Sequence, residues 1–350
     1  MLAWLTTRFI EPSFRHASQS PSGEERFKFQ PKTLKLTLIL ILIGLFGIAV
    51  NLTNFSSSRS FETLAVKRRD EHAIGSSLKW FEGKENWLFL GNAYEKNLAK
   101  LKLAIRPKST EIDKTTKFFQ DLASTADQFN IKTYLFIGPN KETIYPEYLP
   151  KQVTVPPARY LDFFLRELSK INNLIIYDPT KILKESKTEG LLYRKTDTHW
   201  NNRGAYVAFS GFLKTLGISP PKVSFFKGQP QPGDLIEISN LKNFPIDNED
   251  SWDISWESRL DWNEELTSRE NIFGFGYPSI VKNKHPLSEK VVWIIGDSFS
   301  AALRPFFNAT FREVHYIGHW GKTIDRMPKL IQESKDKPDL IVIIRVERSF

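Results

Sequence analysis

Apolar positions in this chain recur with two periods, one typical of buried strands and one typical of amphipathic helices. Five short runs rich in β-branched and aromatic residues predict strands at 131–137, 174–177, 291–295, 314–317 and 340–346. Between them, four segments place apolar residues at helical spacing, at 111–129, 157–171, 203–216 and 323–334. Continuous apolar strands separated by amphipathic helices are typical of a parallel sheet covered on both faces, so the pattern predicts an α/β sandwich.

The residues between 220 and 286 interrupt this alternation. They are rich in Gly, Pro, Asn and Trp and break the rhythm of strands and helices. We therefore expect a long insertion at 220–286, near the edge of the sheet where the strands end. The late run at 340–346 is apolar almost throughout, which predicts a central strand.

A longer apolar run precedes these elements. Residues 36–52 carry no charge, and at a helical rise they cover roughly 25 Å, close to the hydrocarbon thickness of a bilayer. Basic residues come before the run, at positions 8, 15, 26, 28, 32 and 35. Because basic segments stay in the cytoplasm, the pattern predicts a cytoplasmic tail at 1–33, one transmembrane anchor at 34–52, an exposed stalk at 53–75 and a translocated domain at 76–350. A buried core helix and a cleaved signal peptide are the alternatives.

Composition and charge exclude several kinds of functional site. The 350-residue chain has no cysteine, which excludes disulfide bonds, thiolate zinc sites and a cysteine nucleophile. The formal net charge of +9 is spread thinly over the whole length, so the charge pattern does not indicate nucleic acid as a partner.

A serine stands at the end of one predicted strand. Ser298 follows the strand at 291–295 and precedes a predicted helix that begins at residue 301. Backbone amides at such a turn can stabilise an oxyanion, which makes Ser298 a candidate nucleophile. The alternative is an ordinary helix N-cap, because Asp297 and Ser298 both favour that position.

A second segment pairs an acid with a histidine. In an extended segment residues i and i+2 point the same way, so the Asp197 carboxylate can approach the His199 ring and fix its tautomer. As an alternative, Asp197 or Asn201 caps the helix predicted from residue 203, and His199 is an incidental surface residue. Together, Asp197, His199 and Ser298 supply the acid, base and nucleophile of a triad, which is defined by geometry rather than chain order.

Five segments in order resemble the alginate O-acetyltransferase family of AlgJ/AlgX-like proteins. They are 85–92 (ENWLFLGN), 138–150 (GPNKETIYPEYLP), 197–206 (DTHWNNRGAY), 296–300 (GDSFS) and 337–350 (KPDLIVIIRVERSF). The resemblance implies an α/β fold, an SGNH hydrolase-like sandwich with a mainly parallel central sheet in permuted order. It also implies a triad of Asp197, His199 and Ser298.

The same resemblance implies how such a protein works. A serine takes an acetyl group and passes it to a hydroxyl of an extracellular or cell-envelope polysaccharide, without a cofactor. A multipass membrane O-acyltransferase brings acetyl groups across the membrane. The family further implies a single-pass protein of the bacterial inner membrane, with its catalytic domain in the periplasm.

Four further residues are candidates for binding the acceptor. Asn140 and Lys141 follow the predicted strand 131–137, on the same edge as Ser298, and are candidates for an oxyanion donor or an acceptor contact. The alternative for them is a capped turn between strand and helix. Trp252 and Trp256 lie in the expected insertion, and exposed indoles stack well on sugars. Half-buried packing is their alternative.

Metal binding is not expected from the histidines. His315 and His319 have the spacing of zinc ligands on a helix, but they fall on a predicted strand and the loop after it, so we predict no metal site.

Three functions remain open from the sequence. The first is a polysaccharide O-acetyltransferase. A carbohydrate acetyl esterase with the same triad is the second, and a non-catalytic, membrane-anchored scaffold that binds glycan or a partner is the third.

Overall fold

The computed structural model describes residues 77–257, 259–270 and 275–350. The predicted tail at 1–33, transmembrane anchor at 34–52 and stalk at 53–75 lie outside the described residues. Within the part of the chain that the structure describes, none of the helices combines the length and the apolar character needed to span a membrane.

Short strands and helices alternate along these residues. The strands are β1 (Trp80–Glu82), β2 (Leu88–Leu90), β3 (Lys132–Gly138), β4 (Leu174–Tyr177), β5 (Val223–Lys227), β6 (Trp252–Trp256), β7 (Trp262–Leu266), β8 (Ser279–Asn283), β9 (Ser288–Gly296), β10 (Phe311–His319) and β11 (Leu340–Val346). The α-helices are α1 (Asn97–Leu101), α2 (Ser109–Asp127), α3 (Lys141–Ile144), α4 (Asp162–Leu168), α5 (Thr180–Ser186), α6 (Asn202–Thr215), α7 (Asp234–Ser239), α8 (Arg304–Thr310), α9 (Trp320–Thr323) and α10 (Met327–Glu333). Short 3-10 helices cover Pro146–Tyr148, Lys187–Glu189, Ser298–Leu303, Ile324–Arg326 and Glu347–Ser349.

A seven-stranded sheet in the order β4-β3-β11-β9-β10-β8-β7 forms the centre of the fold. The first five strands of that order pair in parallel, whereas β8 pairs antiparallel with β10 and β7 antiparallel with β8. The five predicted strands are these five parallel ones. The sheet is therefore mixed, and its larger part is parallel, as the alternation of strands and helices predicted.

The region at 220–286 is more than an insertion. It supplies β7 and β8 to the central sheet, and it also holds α7 and the antiparallel β5–β6 ribbon. Most residues of β7 are exposed, and two of them are glutamates. Charged residues are common on edge strands because they discourage further pairing, and they hide the strand pattern in the sequence.

Helices cover both faces of the sheet. All seven residues of β11 are buried, and their side chains alternate between two cores. Val342 and Ile344 pack in the core that includes Phe212 of α6, whereas Ile341 and Ile343 pack in the core that includes Phe119 of α2. This alternation is the period of two that a strand imposes, and it explains why β11 is apolar on both faces.

Candidate active site

Asp197, His199 and Ser298 form a continuous hydrogen-bonded line. Asp197 Oδ1 lies 2.6 Å from His199 Nδ1, and His199 Nε2 lies 2.7 Å from Ser298 Oγ. The histidine and the serine are 99 positions apart in the chain. The structure thus brings together the three residues that the sequence predicted as a triad.

The acid at one end of the line sets the tautomer of the ring. An ionised carboxylate only accepts hydrogen bonds, so the proton of the neutral ring sits on Nδ1 and leaves Nε2 to accept from the serine hydroxyl. Burial raises the pKa of the Asp197 carboxyl, but its hydrogen bond to His199 and the charge of that ring outweigh burial and bring the pKa below its usual value. Asp197 is therefore ionised over the physiological range of pH.

Asp197 and His199 lie in a bend rather than in the extended segment that the sequence predicted, yet their side chains meet as expected. Asp197 Oδ1 also accepts the backbone amide of His199 at 3.0 Å, which closes the turn between the two residues. The capping role that was open for Asp197 belongs to Asn201, whose side chain accepts from the Gly204 amide at the start of α6. Asp197 is thereby left to face the ring.

Ser298 begins the 3-10 helix that follows β9. Asp297 caps this helix: its carboxylate accepts the amide of Phe299 at 3.0 Å and the amide of Val346, at the end of β11, at 2.7 Å. Burial raises the pKa of this carboxyl. The Ser298 amide, at the first position of the helix, has no acceptor within the helix and can donate to an oxyanion. The sequence placed an α-helix from residue 301, and in the structure the α-helical part begins at Arg304.

Trp200 connects the histidine segment to the serine turn. Its indole Nε1 donates to the carbonyl oxygen of Phe299 at 3.1 Å, and the residue is 2% exposed. The Phe299 ring also packs on the His199 ring, with the two centroids 5.0 Å apart. These contacts fix the separation of Ser298 and His199.

Lys141 lies beneath the histidine segment rather than in an open cleft. The side chain is 1% exposed, and its Nζ donates to the carbonyl oxygens of Arg194, Lys195 and Asp197 at 3.1, 3.0 and 2.6 Å. Burial lowers the pKa of this amine to about 8. The predicted contact with an acceptor does not fit this placement, because all three donor directions are used within the protein.

Asn140 is also turned into the protein. Its backbone amide donates to Glu347 Oε2 at 2.9 Å, and its side-chain amide donates to Asn97 Oδ1 at 3.1 Å. The residue occupies the N-cap position of α3 without a side-chain capping bond. Among the described residues, no hydrogen bond joins Asn140 to Ser298 or His199, and its contact with an oxyanion or an acceptor stays a prediction.

The two indoles expected to stack on sugars pack against protein instead. Trp252 donates from Nε1 to the carbonyl of Leu191 at 3.0 Å, and Lys227 Nζ lies 3.6 Å from the centre of its ring. The Trp256 ring lies 5.6 Å from the ring of Phe306. Both are half-buried on the inner face of β6, where the period of two directs them. Their placement matches the packing alternative.

Asp234 belongs to the same site, although the sequence pattern did not single it out. It is the first residue of α7, and its Oδ2 lies 3.6 Å from His199 Nδ1. Burial, followed by the negative charge of Asp197, raises the pKa of its carboxyl. Asp234 falls inside the expected insertion; the only local signal is a Gly-Asp pair before an apolar turn, which is typical of a helix start.

One group of side chains in the described ranges has the spacing of metal ligands. The ligand atoms of Asp197, His199 and Asp234 all lie within 4.8 Å of one another. The triad hydrogen bond already joins the imidazole to Asp197, so an ion held here would replace that bond. His315 and His319 are engaged separately: His315 pairs with Glu313, and His319 Nδ1 accepts the amide of Gly321.

A comparison with known protein families matches part of this chain. The family model for the SGNH hydrolase-like domain of the acetyltransferase AlgX matches residues 81–238. Residues 81–238 are therefore similar to the SGNH hydrolase-like domain of AlgX, and the curated relatives that match the chain are AlgJ proteins. The resemblance seen in the five sequence segments is thereby confirmed. The match includes Asp197, His199 and Asp234 and ends before Ser298, whose place in the site follows from the geometry above.

Curated relatives carry the name probable alginate O-acetylase AlgJ. The protein of Azotobacter vinelandii is 24% identical over 167 residues, which are 45% of this chain and 41% of that protein. The protein of Pseudomonas putida is 22% identical over 151 residues, which are 43% of this chain and 36% of that protein. The chain thus spans well under half the length of the curated relatives that it matches.

The fold is also found in a solved structure. Bacillus cereus PatB1 with a sulfonyl adduct superposes with a TM-score of 0.57 at 16% identity, over 78% of this chain and 96% of that one. At this identity the likeness shows a shared fold.

Proposed function

We propose that this protein is an O-acetyltransferase that moves an acetyl group through an acetyl-serine intermediate onto hydroxyls of an extracellular or cell-envelope polysaccharide. The observation that supports this most is the line from Asp197 Oδ1 to His199 to Ser298 Oγ, with hydrogen bonds of 2.6 and 2.7 Å. An oriented imidazole next to a serine is the arrangement that makes a hydroxyl nucleophilic.

In the first half of the reaction the acetyl group moves to the enzyme. His199 Nε2 takes the proton of Ser298 as Oγ attacks the acetyl carbonyl, and Asp197 stabilises the imidazolium that forms. The Ser298 amide donates to the oxyanion of the tetrahedral intermediate. The donor's leaving oxygen then departs with the proton from His199, and Ser298 carries an acetyl ester.

In the second half a sugar hydroxyl resolves this ester. His199 takes the hydroxyl proton as the sugar oxygen attacks the ester carbonyl, and it returns that proton to Ser298 Oγ when the acyl bond breaks. Water in place of the sugar would yield acetate. Transfer therefore requires that the acceptor occupy the site and exclude water.

The acceptor, the donor system and the location belong to the same proposal. The curated relatives are named as alginate O-acetylases, which supports a polysaccharide acceptor. A multipass membrane O-acyltransferase would deliver the acetyl group on the periplasmic side. The apolar run at 34–52 would anchor the chain in the bacterial inner membrane, with the domain described above outside the cytoplasm.

A transfer assay with the purified full chain tests the proposal. The chain is incubated with an activated acetyl ester and an oligosaccharide, and mass spectrometry measures acetylated sugar while a second assay measures free acetate. We expect acetylated sugar from the wild type and none from Ser298→Ala. Ser255→Ala, which removes an exposed hydroxyl from β6, is the matched control and should behave as the wild type.

The outcomes separate the three functions. Acetylated sugar that depends on Ser298 supports the transferase. Acetate alone, at every acceptor concentration, would indicate an esterase. Neither product from a folded sample would contradict an enzymatic function and favour a binding scaffold.

A further inference from the structure

We infer that Asp234 is a second carboxylate of this site, a positioning residue that holds His199 through Thr198 and adds negative charge beside the ring. The inference deepens the proposed function and rests on it, because His199 is the base of that reaction. Nothing in the spacing of the triad requires a second acid, since one carboxylate is enough to orient an imidazole.

A hydrogen-bonded bridge joins Asp234 to the ring. Asp234 Oδ2 accepts the hydroxyl of Thr198 at 2.6 Å, and Oδ1 accepts the backbone amide of Thr198 at 2.8 Å. The Thr198 hydroxyl gives its only proton to the carboxylate, so the oxygen presents a lone pair to His199 Nδ1, 3.2 Å away.

His199 Nδ1 therefore meets three acceptors. They are Asp197 Oδ1 at 2.6 Å, Thr198 Oγ1 at 3.2 Å and Asp234 Oδ2 at 3.6 Å. If Nδ1 is protonated, it can donate a hydrogen bond to these acceptors. If Nδ1 is unprotonated, its lone pair is repelled by their oxygen atoms. The bridge thus favours the tautomer that leaves Nε2 free to accept from Ser298.

The segment that carries Asp234 is built against the triad segment. The Asp234 amide donates to Asp197 Oδ2 at 3.2 Å, and the Leu235 amide donates to the carbonyl of Thr196 at 3.1 Å. At Gly233 a Cβ atom would lie 2.3 Å from that carbonyl oxygen and 2.5 Å from the Cβ of Asp197, so only glycine permits this approach. The two segments are joined along their length, which orients both carboxylates at once.

Asp234 has a second role, because its negative charge lies close to the His199 ring. The two carboxylates sum to a formal charge of −2 beside a neutral ring and −1 once the ring is protonated. Positive charge faces this group from Lys141, which lies beneath the segment and interacts with both carboxylates. Arg348 contacts the Phe299 ring, with its guanidinium 5.5 Å from the centre of that ring. Because Asp234 lies closer to the ring than 4 Å, its charge stabilises the imidazolium that forms when Ser298 is acylated.

Asp234→Asn in the full chain tests the charge. This change keeps the shape and one acceptor oxygen and removes the negative charge. We expect the acidic limb of the kcat/KM profile for an activated acetyl ester to move to lower pH by about one unit, with kcat reduced roughly tenfold and KM little changed. Glu237→Gln, on an exposed position of the same helix, is the matched control and should leave the profile in place.

A second readout does not depend on acetyl transfer. NMR of the ¹⁵N-labelled histidine rings, with His199 assigned through His199→Gln, follows protonation of the ring without a donor or acceptor. We expect the His199 titration to shift in Asp234→Asn in the same direction as the acidic limb. If the wild type transfers no acetyl group, the proposed function fails, but the His199 titration still tests whether Asp234 acts on the ring. Failure of the proposed function and failure of this inference are therefore distinguishable.

The bridge has its own test if Asp234→Asn does not fold. Thr198→Val removes the hydroxyl and should lower kcat several-fold, whereas Thr198→Ser restores it and should recover activity. A folded Asp234→Asn with an unmoved acidic limb and an unmoved His199 titration would overturn the inference. Equal activity of Thr198→Val and the wild type would overturn the bridge.

Discussion

Replacement of Lys141 by methionine tests whether a buried amine holds the triad segment in place. Methionine fills a similar volume but donates no hydrogen bond, so three backbone carbonyls, those of Arg194, Lys195 and Asp197, lose their donor. At distances of 3.1, 3.0 and 2.6 Å, these are bonds from a charged donor, and each contributes about 1.5 to 3 kcal/mol. Part of that is returned, because the variant no longer desolvates an ammonium that is 1% exposed.

We therefore expect Lys141→Met to lower the free energy of unfolding by about 3 kcal/mol. For a domain of this size such a loss lowers Tm by roughly 6 to 12 °C. Because the bond to the Asp197 carbonyl is lost, the ring next to it moves relative to Ser298, and acylation by an activated acetyl ester should slow by at least about tenfold.

Calorimetry and stopped-flow acylation measure the two effects. Lys181→Met is the matched control, since the Lys181 side chain is 89% exposed and should tolerate the change. A Tm and an acylation rate equal to those of the control would refute the reasoning. A lower Tm with an unchanged acylation rate would show that Lys141 stabilises the fold without positioning the triad.

Three further predictions address the contacts around the site. Trp200→Phe removes the bond to the Phe299 carbonyl, and we expect acylation to fall several-fold with a loss of about 2 kcal/mol in stability, measured by stopped flow and urea unfolding; unchanged values would argue against the connection. Gly233→Ala places a Cβ against the Thr196 carbonyl, so activity should fall more than in a Gly321→Ala control, where the atom nearest to an added Cβ lies 3.4 Å away. Burial raises the pKa of Glu347 to about 7, above that of the unfolded chain, so its stabilising effect is present below about pH 4.5 and is lost as pH rises through 7. Wild type should therefore lose stability relative to Glu347→Gln over this range, by up to about 1.4 kcal/mol per pH unit, and parallel curves would contradict that assignment.

The parallel part of the sheet could be predicted because its strands are buried on both faces. The bounds of β4 and β11 match the predicted runs at 174–177 and 340–346, since apolar side chains on both faces leave an unbroken run in the sequence. In contrast, β7 escaped prediction: four of its five residues are exposed, and its glutamates interrupt any apolar pattern.

The same distinction applies to the site. Asp197, His199 and Ser298 could be predicted because each stands in a short segment whose local geometry suits its role. The role of Lys141 depends on carbonyls 53 to 56 positions away, and that of Asp234 on Thr198, 36 positions away. Contacts between residues so far apart in the chain leave no local pattern in the sequence. The packing of Trp252 and Trp256 could not be predicted for a related reason, since the sequence does not show which face of β6 is covered.

The most direct test of the account is whether Ser298 takes up an acetyl group. The purified chain is exposed briefly to an activated acetyl ester, quenched with acid and measured as intact protein, and the modified residue is located by peptide mapping. We predict one added acetyl group on Ser298, absent from Ser298→Ala and strongly reduced in His199→Gln. A folded wild type that takes up no acetyl group, or takes it up equally in Ser298→Ala, would contradict the proposal that the three residues form an acyl-transfer triad.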